Sequence, residues 1–467
     1  MKRALALLVA LSFMGTFLTV PAIAAVKAGA SCPKVGKTSV ASGKTFTCVK
    51  SGKKMVWNKG VSVAKPTLSA PSKPVQPPNV SSAADFAPAG DCKLSKPVHL
   101  KMDDGPMGSV GFPKTSDALP STGNVRGLIL LADFPDVIAT NSALTEIKAA
   151  WLNSSIPNAE KLFAFSSYGK MKLKVDMSSK VYRLQKQSTY YALGADPSGG
   201  PIPNSPPPKL DEAVTDAITA ADLDIDFSQY AFVTVATPQS PTLALSGATG
   251  MGPNPKQFDG ITYTKGDFMP LDSLTPLDKT YRTLNFTHDT GHMLGLMHPY
   301  ITGEGQPITG AWDIMWNFAY QNDFYGWNKW KLGWINDDQV SCINGIVTSG
   351  ITQFLSPIGA STSTNKMIVL KLSETTAIAV EVRRKSPFDD LKSSDEGVIV
   401  YRVDTTKGQG YGPFTLLSNL SKQITYQNFP NILGTMKPGE NVLADGYKIS
   451  VIESSINGDY VTIGKAG

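Results

Sequence analysis

Apolar and polar positions follow two different rhythms along this chain, and the change falls after Cys342. Before it, Gly127-Leu-Ile-Leu-Leu-Ala-Asp-Phe134 is an apolar run of strand length between turn residues at 120–123 and Pro135-Asp136, which predicts a buried strand. Residues 144–165 space their apolar side chains at helical intervals, and 171–177 alternate strictly as a half-buried strand. Residues 197–208 form a Pro/Gly/Ser loop, 210–221 a helix and 230–236 a strand. The stretch 237–280, rich in Gly, Pro, Ser and Thr, predicts long surface loops, and a helix opens near 283–285. Beyond Cys342, short alternating strands are expected at 352–355, 367–372, 378–382, 397–403, 447–452 and 460–463, the texture of an antiparallel β-sandwich. No internal repeat is present.

The first residues predict export. Lys2 and Arg3 precede an apolar stretch over 4–20, and Ala22-Ile23-Ala24 has the small residues of a cleavage site. A membrane anchor is the alternative reading, but the stretch is short and Pro21 interrupts it. The expected divisions are a signal peptide at 1–24, a small basic Cys/Trp module at 25–60 and a Pro/Ser/Lys-rich linker at 61–90. Folded domains follow at 91–342 and 343–467. No other segment is long and apolar enough to span a bilayer, so the mature chain is expected to be secreted or associated with the cell envelope. No feature decides whether 85–123 acts as a propeptide.

Charge sharpens this division. Residues 26–84 hold ten lysines and no acidic residue; removing these with Lys2 and Arg3 from the net charge of +6 leaves about −6 for 85–467. A basic head on an acidic body points to an anionic partner such as a cell-envelope polymer, with a merely solubilising stalk as the alternative. Nucleic acid is excluded by export and the lack of a reading motif. The four cysteines of an exported chain suggest two disulfides. Proximity pairs Cys32 with Cys48 and leaves Cys92 with Cys342, although four cysteines allow three connectivities. A Cys92 thiolate capping a metal in a latent precursor is the competing assignment.

Candidate chemistry concentrates in His288-Asp-Thr-Gly-His292-Met-Leu-Gly-Leu-Met-His298, which holds three of the four histidines. His288 and His292 project from one face of a helix, and a left-handed turn at Gly295 brings His298 to a third coordination corner. Three imidazoles with a fourth position open suit a single catalytic Zn2+. The spacing matches the H-E-x-x-H-x-x-G-x-x-H pattern of zinc peptidases, with Asp289 where the pattern has Glu. Aspartate keeps the chemistry of a general base but sets its carboxylate roughly 1.5 Å further back. Met315, in Trp312-Asp-Ile-Met315-Trp316, has the position of a methionine turn under the metal, against the plainer reading of a core methionine. Tyr300, Tyr320 and Tyr325 are candidate oxyanion donors, each with packing as its alternative. Glu304 is a weaker substitute for His298, His99 is an ordinary polar residue, and no motif indicates Ca2+.

The chain resembles secreted bacterial metallopeptidases of the immune inhibitor A class. The matching pieces are Leu130-Leu-Ala-Asp-Phe-Pro-Asp136, Phe165-Ser-Ser-Tyr-Gly-Lys-Met-Lys-Leu173, Val181-Tyr-Arg-Leu184, Tyr190-Tyr191 and Asp226-Phe-Ser-Gln-Tyr230. They continue with Trp327-Asn-Lys-Trp-Lys-Leu-Gly-Trp334, Val380-Glu-Val-Arg383 and Glu396-Gly-Val-Ile-Val-Tyr-Arg-Val-Asp404, so the likeness covers 124–405. It implies an α+β zincin-like domain, a twisted sheet over an active-site helix with the cleft between the edge strand and the metal, followed by the β-sandwich. It also implies hydrolysis of a protein or peptide substrate, with His288, His292 and His298 as ligands and Asp289 as the catalytic carboxylate. Two outcomes stay open: a working peptidase, or a metal-binding envelope protein that keeps the scaffold without efficient turnover.

Overall fold

The computed structural model describes residues 26–42, 44–62, 78–96, 109–194, 205–238, 240–245, 247–252, 255–271, 278–299, 309–310, 312–316, 322–345, 347, 350–421, 423–426, 429–432 and 434–467. The expected signal segment 1–24 lies outside them. Two compact units result, Met1–Pro77 and Pro78–Gly467.

In the first unit, strands Thr38–Ala41, Lys44–Ser51 and Lys54–Trp57 pair antiparallel, and Val61–Ser62 returns beside Lys44 and Thr45. Cys32, Phe46, Cys48 and Trp57 are its buried core. So small a core needs a covalent staple, and Cys32 is bonded to Cys48.

The second unit begins on a six-stranded sheet. Five strands follow the path β2 (Met171–Met177), β1 (Gly123–Asp133), β3 (Phe232–Pro238), β5 (Lys265–Leu271) and β4 (Gly247–Gly250), and the short sixth, Tyr182–Arg183, pairs parallel with the end of β1. The first four are mutually parallel, while β4 closes the edge antiparallel to β5. Both faces of β1 are covered, which explains its unbroken apolar run. Val125, Ile129 and Leu131 face a core shared with α1 (Asn141–Ala150), a π-turn at Trp151–Ser155, α2 (Ile156–Ser166) and the carboxyl half of α4 (Asp278–Met293). Leu128, Leu130 and Ala132 face α3 (Leu210–Ala221) through Ala213, Val214, Ala217 and Ile218.

The expectation of surface loops over 237–280 is corrected here. That stretch supplies β4, a Gln257–Phe258/Ile261–Thr262 hairpin and the inner strand β5. Lys265, Asp267 and Pro270 interrupt the apolar pattern of β5, but Asp267 is fully buried and its carboxylate accepts from Thr234 Oγ1 at 3.0 Å. A tertiary hydrogen bond there offsets what the local pattern opposes.

After α5 (Gly326–Lys331), the chain builds a five-stranded sheet in the order β6 (Val340–Asn344), β8 (Met367–Lys371), β9 (Thr376–Arg383), β10 (Gly397–Asp404) and β11 (Phe414–Leu416). A four-stranded sheet contains β7 (Ile351–Leu355), β14 (Gly458–Lys465), β13 (Tyr447–Ser455) and β12 (Asn441–Ala444). Ile368, Val380, Val398 and Val400 share one core with Ile449, Val451, Val461 and Ile463, so the two sheets form a sandwich. It is antiparallel except that β6 runs parallel to β8.

Two expected boundaries shift. Residues 78–90 do not belong to a linker: Ser81 N–H donates to Thr352 O at 2.8 Å and Ala87 N–H to Cys342 O at 2.9 Å. Nor does packing break at 342/343. The second face of the five-stranded sheet, with Met367, Val369, Ala379 and Tyr401, shares a core with Trp312, Tyr325, Trp327 and Trp330. Cys92 is bonded to Cys342 across 250 residues, which excludes a thiolate cap on a metal. Closing so long a loop removes unfolded-chain entropy on the order of 5 kcal/mol. The described parts of 85–123 are structural as well. Leu94 and Val110 are buried, Trp327 Nε1 donates to Val110 O at 2.8 Å, and Leu119 N–H donates to Met293 O at 2.9 Å.

Candidate metal centre

Helix α4 runs beneath β4 and β5; its last two turns carry His288 and His292, and His298 follows beyond its end. Gly295 N–H bonds His292 O at 2.8 Å, and Leu296 N–H bonds Gly291 O at 3.1 Å, which is a Schellman ending. Gly295 has φ +88°, a value that a side chain would strain. The chain therefore folds back over its own helix. Leu296 O accepts from His292 Nδ1 at 2.9 Å, and His298 arrives beside both earlier rings.

The three Nε2 atoms then converge, at 2.9 Å for His288–His298 and 3.0 Å for His288–His292 and His292–His298. His288 Nδ1 faces Ile314 O at 2.8 Å. A carbonyl only accepts, so the Nδ1 atoms of His288 and His292 carry the protons and both Nε2 atoms present lone pairs. Two lone pairs at that separation repel unless a cation lies between them. Burial, and for His292 and His298 the neighbouring rings, hold the imidazoles below their usual range, with His288 pushed down to about 4. Neutral imidazole is the form that a metal requires. Nitrogens about 2.05 Å from one tetrahedral ion stand about 3.3 Å apart, close to the observed spacing. The donor set fits zinc.

Asp289 lies on the same helix, 3% exposed. Its carboxyl accepts from the N–H of Ala248 on edge strand β4, and burial and then the Asp267 carboxylate push its pKa well above the usual range. Asp267 is raised too, chiefly by burial. Thr234, Asp267 and Ala248 stand side by side across β3, β5 and β4, so one transverse row of the sheet faces this carboxyl. Oδ2 of Asp289 is buried without a partner among the described residues.

Met315 packs directly on the histidine-bearing helix. A Cβ at Gly291 would stand 2.4 Å from the Met315 sulfur, so glycine alone admits this approach. Asp313 shapes the turn, accepting from Met315 N–H at 2.8 Å, Tyr325 N–H at 2.7 Å and Asn328 Nδ2 at 2.9 Å.

Of the candidate oxyanion donors, Tyr325 is ruled out. It is fully buried, its hydroxyl donates to Thr309 O, and its ring packs 4.3 Å from that of Tyr401. Tyr300 and Tyr320, like Glu304 and His99, lie outside the described residues. A separate polar cavity of about 750 Å³, lined in part by Lys371, Glu374, Arg402, Asp445 and Tyr447, holds none of the expected site residues.

Sequence reasoning missed Asp267, Gly291 and the role of Asp313. An acidic residue inside a candidate strand, and a small residue one turn from a proposed methionine floor, were the available signals. Comparison with models of known protein families gives no match, and a search of curated proteins gives none.

Proposed function

We propose that this chain is a secreted zinc-dependent endopeptidase. The observation that carries the reading is the convergence of the three Nε2 atoms of His288, His292 and His298 within 3.0 Å of one another. Zinc held there would activate a water molecule and polarise the scissile carbonyl. Hydrogen bonds to Ile314 O and Leu296 O fix the tautomers of His288 and His292 before any ion arrives. Asp289 is the carboxylate assigned to take the water's proton and return it to the leaving amine. Burial and Asp267 raise its pKa, and a divalent charge held nearby would lower it again.

A mixed sheet with an antiparallel edge strand above the histidine helix supports the zincin reading, as does Met315 against Gly291. The N-terminal pattern and two disulfides support export; among the described residues no helix is long and apolar enough to cross a membrane. The first unit, with eight lysines and no acid over 26–62, suits an anionic envelope polymer.

A second reading, a binding protein with impaired catalysis, is favoured by one observation: Asp289 is shorter than glutamate and already engaged by the edge strand. Casein cleavage separates the two. The peptidase reading predicts hydrolysis that a chelator abolishes and zinc restores. A fully zinc-loaded chain that cleaves nothing across varied substrates supports the second.

Acid sensitivity gives a further prediction. Protons displace zinc only below the pKa of the metal-free imidazoles, and His288 sits at about 4 rather than 6.5. Zinc affinity, measured by chelator competition, should therefore hold as pH falls through 6.5 and decline only as it approaches about 4.

A further inference from the structure

We propose that Arg383, on the C-terminal sheet, is a positioning residue for the metal centre. It pins both ends of the 312–324 segment and so sets the carbonyl that orients His288. The inference rests on the reading of the three histidines as metal ligands.

Glu381 and Arg383 are two residues apart on β9, so they share a face. It is the face of Ala377 and Ala379, turned toward Trp312 and Tyr325, whereas Val380 and Val382 enter the sandwich core. Arg383 is fully buried. Its Nε donates to Glu381 Oε1 at 2.8 Å, and Nη1 faces both oxygens of Asp389 at 3.3 and 3.4 Å. Its Nη2 donates to Trp312 O at 3.1 Å and Phe324 O at 3.0 Å.

Desolvating a guanidinium costs several kcal/mol, and apolar packing alone is achieved as well without it. The charge here joins two backbone positions that no apolar side chain would join. Between Trp312 and Phe324 lie Ile314, whose carbonyl accepts from His288 Nδ1, and Met315, which rests on Gly291. The far end is tied twice more: Asp389 accepts from Asp323 N–H at 3.2 Å, and Glu381 Oε2 from Gly326 N–H at 2.7 Å. The path from Arg383 to a ligand is thus continuous: guanidinium, Trp312 carbonyl, two residues of backbone, Ile314 carbonyl, His288 ring. The C-terminal sheet is then part of the metal centre rather than an appended module.

The test uses the full chain loaded with Co2+, whose visible absorption reports ligand geometry, together with zinc affinity and melting temperature. Arg383→Lys keeps a positive charge beside Glu381 and Asp389 but lacks the fork that reaches both carbonyls. Val380→Ala, on the opposite face of the same strand, is the control for lost stability alone. The expected result is a roughly 10–100-fold weaker zinc affinity and a shifted cobalt spectrum in R383K. V380A should melt earlier with an unchanged affinity and spectrum. If R383K does not fold, Asp389→Asn, which loosens the guanidinium without unpairing it from Glu381, should shift the spectrum in the same direction. An R383K, or failing that a D389N, whose affinity and spectrum match V380A overturns the proposal while leaving the metal reading intact. A wild-type chain that binds neither ion overturns both.

Discussion

Replacing His292 with alanine is expected to abolish zinc retention and hydrolysis together. His292 donates one of three converging nitrogens and stands 3.0 Å from each of the others. Disturbing a hydrogen-bond partner of a ligand already costs about 10–100-fold in affinity, so losing a ligand should cost more than about 100-fold. The stability readout is sharper still. Zinc stabilises whatever state binds it by mass action, so it should raise the melting temperature of the wild-type chain and leave that of H292A where it was. The metal-free H292A chain should stay folded, because the core beneath α4 is built from Leu284, Phe286, Met293 and Leu294 rather than from the rings. A variant that still melts higher with zinc would mean that the ion binds elsewhere.

Asp289→Asn is expected to leave zinc bound while hydrolysis falls by about 10²–10⁴-fold, the usual contribution of a general base. Asparagine keeps an oxygen for the Ala248 N–H and almost the same volume, so the fold of the edge strand should survive. Unchanged zinc content with unchanged hydrolysis would remove Asp289 from the mechanism. The longer Asp289→Glu asks a different question. A gain in rate would show that the native carboxylate stands too far from the water, while a loss would show that the row of Thr234, Asp267 and Ala248 leaves no room for another methylene.

Local pattern made the histidine cluster legible. An i, i+4 pair, a glycine three residues before the third histidine and a later methionine are short-range signals, and the structure brings His288, His292 and His298 together with Met315 against their helix. The strand at 127–134 and the helix at 210–221 were readable because both faces or one clear stripe are apolar. What failed to show was everything fixed by distant partners. β4 and β5 read as loops because Gly247, Gly250, Lys265, Asp267 and Pro270 obscure a pattern that only β3 and α4 complete. Residues 78–90 read as linker because they are held by backbone bonds to Thr352 and Cys342, which side-chain pattern does not record. Glu381 and Arg383 looked like ordinary alternation in a strand until Trp312 and Phe324 supplied the reason for their burial.

X-ray absorption at the zinc edge of the purified chain tests the cluster most directly. One ion per chain, with three imidazole nitrogens and one oxygen at about 2.0–2.1 Å, is the predicted shell, and it should collapse in H292A. A chain that refuses zinc, or a shell that is the same in H292A as in the wild type, would contradict a metal held by these three rings.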